Sequence, residues 1–178
     1  AGLADADPTV VMAALKLIGT SQAPAVTAKL ASYPIPAQVT AIDSLGRLGD
    51  ATNADAVAAM LNRPLPIRVA AVRALGRMKA TSKSADVVKC LSDEHPTIRR
   101  EAVIALATVL PTSDAQSHWI AALADADPSV RETAARQIQA SPTDRAIAAL
   151  LPDLAPEFAN VHDAARDALV AIGSPAIP

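Results

Sequence analysis

The feature that most constrains this chain is a three-residue pattern that returns six times at nearly constant spacing. It runs Val10-Ala14-Ile18, Ala37-Ala41-Leu45, Ile67-Ala71-Leu75, Ile98-Ala102-Leu106, Val130-Ala134-Ile138 and Val161-Ala165-Leu169, with successive starts 27, 30, 31, 32 and 31 residues apart. Residues at i, i+4 and i+8 fall on one stripe of an α-helix. The middle member is Ala every time, which is what two helices need to cross at short range. A shorter helix precedes each triplet, marked by apolar pairs four residues apart: Val26/Leu30, Val57/Leu61, Val87/Leu91, Trp119/Leu123 and Ile147/Leu151. Leu3, seven residues before Val10, matches the end of one more such helix.

Start and stop signals fit the same unit. Ser21, Thr52, Ser82, Ser113 and Ser141 stand just before the first helices, where a hydroxyl can accept from free backbone N–H groups. Pro8, Pro36, Pro66, Pro96 and Pro128 stand at the turn into the second helices, where the missing donor costs nothing. Gly46 and Gly76 fall inside second helices and allow close packing, whereas Gly19 and Gly173 follow them. The unit is helix, tight turn, helix, dividing the chain at about 1–20 (partial), 21–50, 51–80, 81–110, 111–140, 141–173 and 174–178. The half units at the two ends lead us to expect a piece of a longer array, since neither end carries the polar face of a capping repeat.

Composition supports an all-helical stack. Alanine supplies 42 of 178 residues against three aromatics, Tyr33, Trp119 and Phe158. Alanine favours helix over strand, and a thick single core built from it would lack volume. With 51% hydrophobic and 19% charged residues the chain is too apolar for a disordered one. No apolar run reaches the roughly 20 residues that span a bilayer.

The run Asp127-Pro128-Ser129-Val130-Arg131 with Ala134 and Ile138 resembles the HEAT-repeat consensus, in the short bacterial form shared with phycobilin lyases. Glu94-His95-Pro96-Thr97-Ile98-Arg99-Arg100-Glu101-Ala102 and Pro66-Ile67-Arg68-Val69-Ala70-Ala71 repeat most of it. Val11, Gln38 and His162 replace the arginine in the other units. The resemblance covers nearly the whole chain and implies an α-solenoid, with second helices on the concave face and first helices on the convex one. It also makes Arg68, Arg99 and Arg131 ladder positions, each expected to pair with an acid such as Asp93, Asp125 or Asp127 and to knit repeats together. Exposed pairs of that kind contribute roughly 0–1 kcal/mol each.

Nothing in the sequence points to catalysis. His95, His118 and His162 lack metal-ligand spacing, so neither a metal nor another cofactor is expected. HEAT proteins that hold iron use paired His-Glu dipeptides, and this chain has a single Glu94-His95 in the reverse order. Ser117 and His118 are neighbours that point about 100° apart on a helix, and Cys90, the lone cysteine, reads as a buried structural thiol. One cysteine excludes an internal disulfide and fits either side of a membrane. HEAT-type DNA glycosylases have a strongly basic concave face; a pI near 5.9 and Trp119 in a packing position argue against nucleic acid.

Charge is unevenly distributed. Residues 1–59 carry a net charge of -2, residues 60–100 carry +6 and residues 101–178 carry -6. Counting the first residue of each triplet as zero, positions 6 and 10 face away from the buried stripe. They place Arg47, Arg73 and Arg77 together, with Arg100 and Arg136 beside them. The reading that follows is a non-catalytic scaffold or protein-binding module, taking an acidic protein or peptide segment, or another domain of the same polypeptide, on its concave face. The second reading is an enzyme or enzyme accessory of the bilin-lyase type, which a deep pocket converging on His, Asp and Cys90 would support.

Overall fold

A computed structural model of the chain describes residues 2–5, 7–141, 143, 166, 169 and 170. Within them run α1 (Pro8–Lys16), α2 (Ala23–Lys29), α3 (Ile35–Leu48), α4 (Ala54–Ala58), α5 (Leu65–Arg77), α6 (Ser84–Lys89), α7 (Pro96–Val109), α8 (Thr112–Ala122) and α9 (Pro128–Ala140). No strand occurs among the described residues. Of the sixth triplet only Leu169 is described, and it is buried. Val161, Ala165, the Ile147/Leu151 pair, Pro142, His162, Gly173 and the segment 174–178 lie outside the described residues.

The odd-numbered helices are the second helices of successive units, and each packs along the next. The even-numbered helices form a second layer whose members meet one another mainly through short 3-10 turns. Four of the triplets supply the seam between the layers, whereas in the first Val10 is 40% exposed and Ile18 lies beyond the end of α1. Ala37, Ala41 and Leu45 of α3, Ile67, Ala71 and Leu75 of α5, Ile98, Ala102 and Leu106 of α7, and Val130, Ala134 and Ile138 of α9 are all buried. Val26, Val57, Val87 and Trp119 meet them from the other layer. Trp119 donates its indole Nε1–H to the Val103 carbonyl at 3.0 Å, so its one polar group is satisfied inside the core.

Close approach along the odd-numbered row explains the small residues. Gly46 lies within α3 and Gly76 within α5. A Cβ on Gly46 would stand 2.9 Å from both Cα and Cβ of Ala74 in α5. One on Gly76 would stand 3.0 Å from Cβ and 3.1 Å from Cα of Ala105 in α7. Position 9 of each of these helices therefore faces position 7 of the next. Helix α3 stops at Gly49, whose φ of 70° is the left-handed conformation that suits glycine at a helix end.

The first helices depart from expectation in detail. Helices α2, α4 and α6 are each bracketed by 3-10 turns, the tighter form that closes a helix end within a few residues. The expected hydroxyl caps are not used. Asp50, rather than Thr52, accepts from the Thr52 N–H at 2.9 Å and from its hydroxyl at 2.7 Å. Gln22 accepts from the Gly19 N–H at 2.9 Å in place of Ser21, and Ser82 and Ser113 make no cap bond. A carboxylate or amide accepts the same orphan N–H groups as a hydroxyl does, and the two-residue reach of Asp50 suits the tighter turn.

Candidate functional site: the outward stripe of the second helices

Positions 2, 6 and 10 lie opposite the buried stripe. They hold Val39, Asp43 and Arg47 on α3, Val69, Arg73 and Arg77 on α5, Arg100, Ile104 and Thr108 on α7, and Glu132, Arg136 and Ala140 on α9. Every one is exposed or half-buried. Val39 and Val69 pack partly against the core; the polar side chains and Ile104 at positions 6 and 10 are exposed or half-buried, and that part of the surface is accessible.

Arg73 and Arg100 converge on a residue that the sequence reading did not single out. Glu101 sits at position 3, facing the preceding helix, and its side chain is only 7% exposed. Arg73 donates from Nε to Oε2 at 3.3 Å and from Nη2 to Oε1 at 3.2 Å. Arg100 donates from Nη2 to Oε1 at 3.1 Å. The bonds to Glu101 hold the Arg73 guanidinium still more firmly protonated than usual. The available signal was a column: position 3 is Thr40, Ala70, Glu101 and Thr133 in successive units, and Glu is the outlier among small residues.

The other candidate arginines are held more loosely. Arg77 lies 3.7 Å from Asp43. Arg47 donates to the Lys16 carbonyl at the end of α1 and to the Ser44 hydroxyl, which ties α3 to its predecessor and places a cation at a helix C-terminus. Arg136 binds Glu132 one turn away on α9, both well exposed, and so stands apart from the central group. Three guanidiniums on α5 and α7 thus face two carboxylates, and positive charge remains in excess. Between α5 and α7 a cleft of about 340 Å³ is lined by Gly76, Ile104, Ala105 and Thr108 together with Arg77 and the Arg73–Glu101 pair.

The ladder arginines lie elsewhere, at the turns between paired helices. Arg68 reaches Asp93 of the next unit at 2.7 Å. Arg99 grips Asp125 of the next unit with two bonds of 2.7 Å, and also donates to the carbonyls of Asp93 and Glu94 in its own turn. Arg131 donates to the carbonyls of Asp125 and Ala126. Asp93 and Asp125 serve twice, because each also accepts a backbone N–H two residues on, from His95 and Asp127. Asp127 caps α9 through Ser129. The Arg99 and Asp125 side chains are only 15% and 12% exposed, so this bidentate pair is better shielded than the surface pairs whose worth is small. The Arg99 bonds hold the Asp125 carboxyl below its ordinary range.

The residues with catalytic potential are scattered. Burial, reinforced by Asp93 and Asp86, pushes the Cys90 thiol up to about 11, and its S–H donates to the Asp86 carbonyl. His95 lies 3.6 Å from Glu94, while His118 lines a separate groove with Arg99 and Asp125. Among the described residues no three His, Cys, Asp or Glu side chains come close enough to hold a metal ion, and no helix is long and apolar enough to cross a membrane.

This architecture places the chain among helical-repeat solenoids of the HEAT/armadillo-like fold. The complex of CpcE and CpcF of phycocyanin lyase from Nostoc sp. PCC7120 superposes with a TM-score of 0.68 at 21% identity, over 97% of this chain and 75% of that one. YibA from E. coli gives 0.63 at 18% identity, over 96% and 67%. A designed armadillo repeat protein in complex with the peptide (KR)4 gives 0.60 at 19% identity, over 97% of both chains. No family model matches the sequence, and no curated protein matches it. At these identities the shared property is the fold.

Proposed function

We propose that this chain is a non-catalytic binding module that takes an acidic protein or peptide segment along the outward stripe of its second helices. The observation that carries this reading is the group Arg47, Arg73, Arg77 and Arg100, unburied and in excess over Asp43 and Glu101. The designed armadillo protein with the same fold has a basic peptide bound; a surface of the opposite sign suits an acidic one.

Because Arg73 holds the buried Glu101, reversing it would strand a carboxylate. Arg47 and Arg77 are the better probes. Fluorescence anisotropy with a labelled octaglutamate peptide should show saturable, salt-sensitive binding, weakened about tenfold or more in Arg47→Glu/Arg77→Glu, where each reversal turns attraction into repulsion. Because Arg47→Glu also removes the bond to the Lys16 carbonyl, Arg77→Glu alone, with helicity unchanged by circular dichroism, should already weaken binding. Binding that survives the double reversal, or wild-type protein that fails to bind the peptide, refutes the reading.

A further inference from the structure

Ile104 is out of keeping with its row. Position 6 holds Lys16, Asp43, Arg73 and Arg136 in the other described units, yet here an isoleucine stands 42% exposed. It does not stand alone, because the cleft between α5 and α7 opens beside it. That opening follows from local sequence. Gly76 and Ala105, in close contact across the two helices, line it, and position 10 of α7 is Thr108, shorter than the arginines that α3 and α5 carry there. The Thr108 hydroxyl is turned to the backbone, 2.7 Å from the Gly76 carbonyl and 2.9 Å from the Ala105 carbonyl, which share its one proton.

The cleft is therefore an apolar recess with cations around it. Its about 340 Å³ falls at the small end of the roughly 300–1,000 Å³ spanned by ligand pockets, a size that suits one side chain of a larger ligand. The single carboxylate in its lining, Glu101, is already bonded by Arg73 and Arg100. Arg77, half exposed, is left to receive an anionic group next to whatever enters.

We infer, on the basis of the binding role proposed above, that the α5–α7 cleft is an anchor pocket for one aliphatic side chain of an acidic peptide, with a flanking carboxylate received by Arg77. The aliphatic residue supplies contact area chiefly on the exposed Ile104, and the acidic neighbour supplies charge complementarity. A polyanion without an aliphatic residue would use only half of the site.

Two labelled heptapeptides test this, one with three glutamates on each side of a central leucine, the other with glycine in the centre. Wild-type protein should bind the leucine peptide about tenfold more tightly, the gain expected for burying most of a leucine side chain. Ile104→Ser, a change at a half-exposed position, should erase that preference. Equal affinity of wild-type protein for the two peptides overturns the anchor pocket while the acidic-segment reading stands, provided Arg77→Glu weakens both. A leucine preference that persists in Ile104→Ser also overturns it. If neither peptide binds, the acidic-segment reading falls and the anchor pocket with it.

Discussion

Replacing Gly46 by alanine pits helix propensity against interhelical distance, and the two give opposite signs. Within an exposed helix, glycine to alanine stabilises by about 1 kcal/mol, through the lower backbone entropy of the unfolded chain. Gly46 has no space for the added methyl, which would stand 2.9 Å from the Cα and Cβ of Ala74. Non-bonded carbons rest at about 3.5–4.0 Å, so α3 and α5 must separate by roughly half an ångström or more. The obstructing Cα is backbone and cannot swing aside. A gap of that size forfeits about a quarter to a half of each dispersion contact along the seam, and inserting a methyl into a packed site costs about 1–3 kcal/mol. Gly46→Ala should therefore lower stability by about 1 kcal/mol net, and Gly76→Ala, with contacts of 3.0 and 3.1 Å, by somewhat less. Urea unfolding followed by circular dichroism measures the change. A Gly46→Ala protein more stable than wild type by the propensity increment would refute the claim that glycine is there for close approach.

Acid should weaken the protein partly through Asp125. Its carboxyl is held low in the folded state by Arg99, so its contribution is present above the unfolded value and fades as pH falls below that value; in Asp125→Asn the urea midpoint should vary less across that acid range, and an unchanged pH slope would show that the Arg99 pair carries no linkage. The Cys90 thiol, raised to about 11 by burial, should react with iodoacetamide far more slowly at neutral pH than a free thiol does, because only the thiolate attacks; labelling at the rate of glutathione would contradict its burial, and unfolding in urea should restore that rate.

The repeat was legible because it is written in positions that the fold cannot relax. The middle alanines at 41, 71, 102 and 134 are completely buried, and any larger side chain there would force neighbouring helices apart. The same reasoning located the outward stripe, since positions 6 and 10 are fixed once 0, 4 and 8 are known. Residues with several equivalent solutions were not legible. A cap may be Asp, Gln or a hydroxyl at slightly different offsets, so Thr52 and Asp50 were indistinguishable until the tight 3-10 turn favoured the longer reach of the carboxylate. The cleft was hidden for a related reason: its lining combines residues that are unremarkable singly, Ile104 and Thr108 on α7 with Gly76 and Arg77 on α5, and these lie on two different helices.

Glu101 shows where structure and function part. Position 3 faces the preceding helix, and Ala70 fills it on α5 without any charge, so stacking alone does not call for a carboxylate. Burying one is unfavourable unless it is paired and hydrogen-bonded, and replacing such a pair by apolar residues often leaves stability unchanged or raised. The pairing here is supplied by Arg73 and Arg100, which both belong to the outward stripe. Glu101 thus does for these guanidiniums what Asp93 and Asp125 do for Arg68 and Arg99: it fixes their direction. The ladder pairs join one unit to the next at the turns, out of reach of a ligand on the stripe. The Glu101 cluster joins two units as well, but it leaves two partly exposed cations aimed beside an apolar recess. A uniform array would need the first arrangement in every unit. The second occurs once among the described units, between α5 and α7, which is what a site, as opposed to a structural repeat, requires.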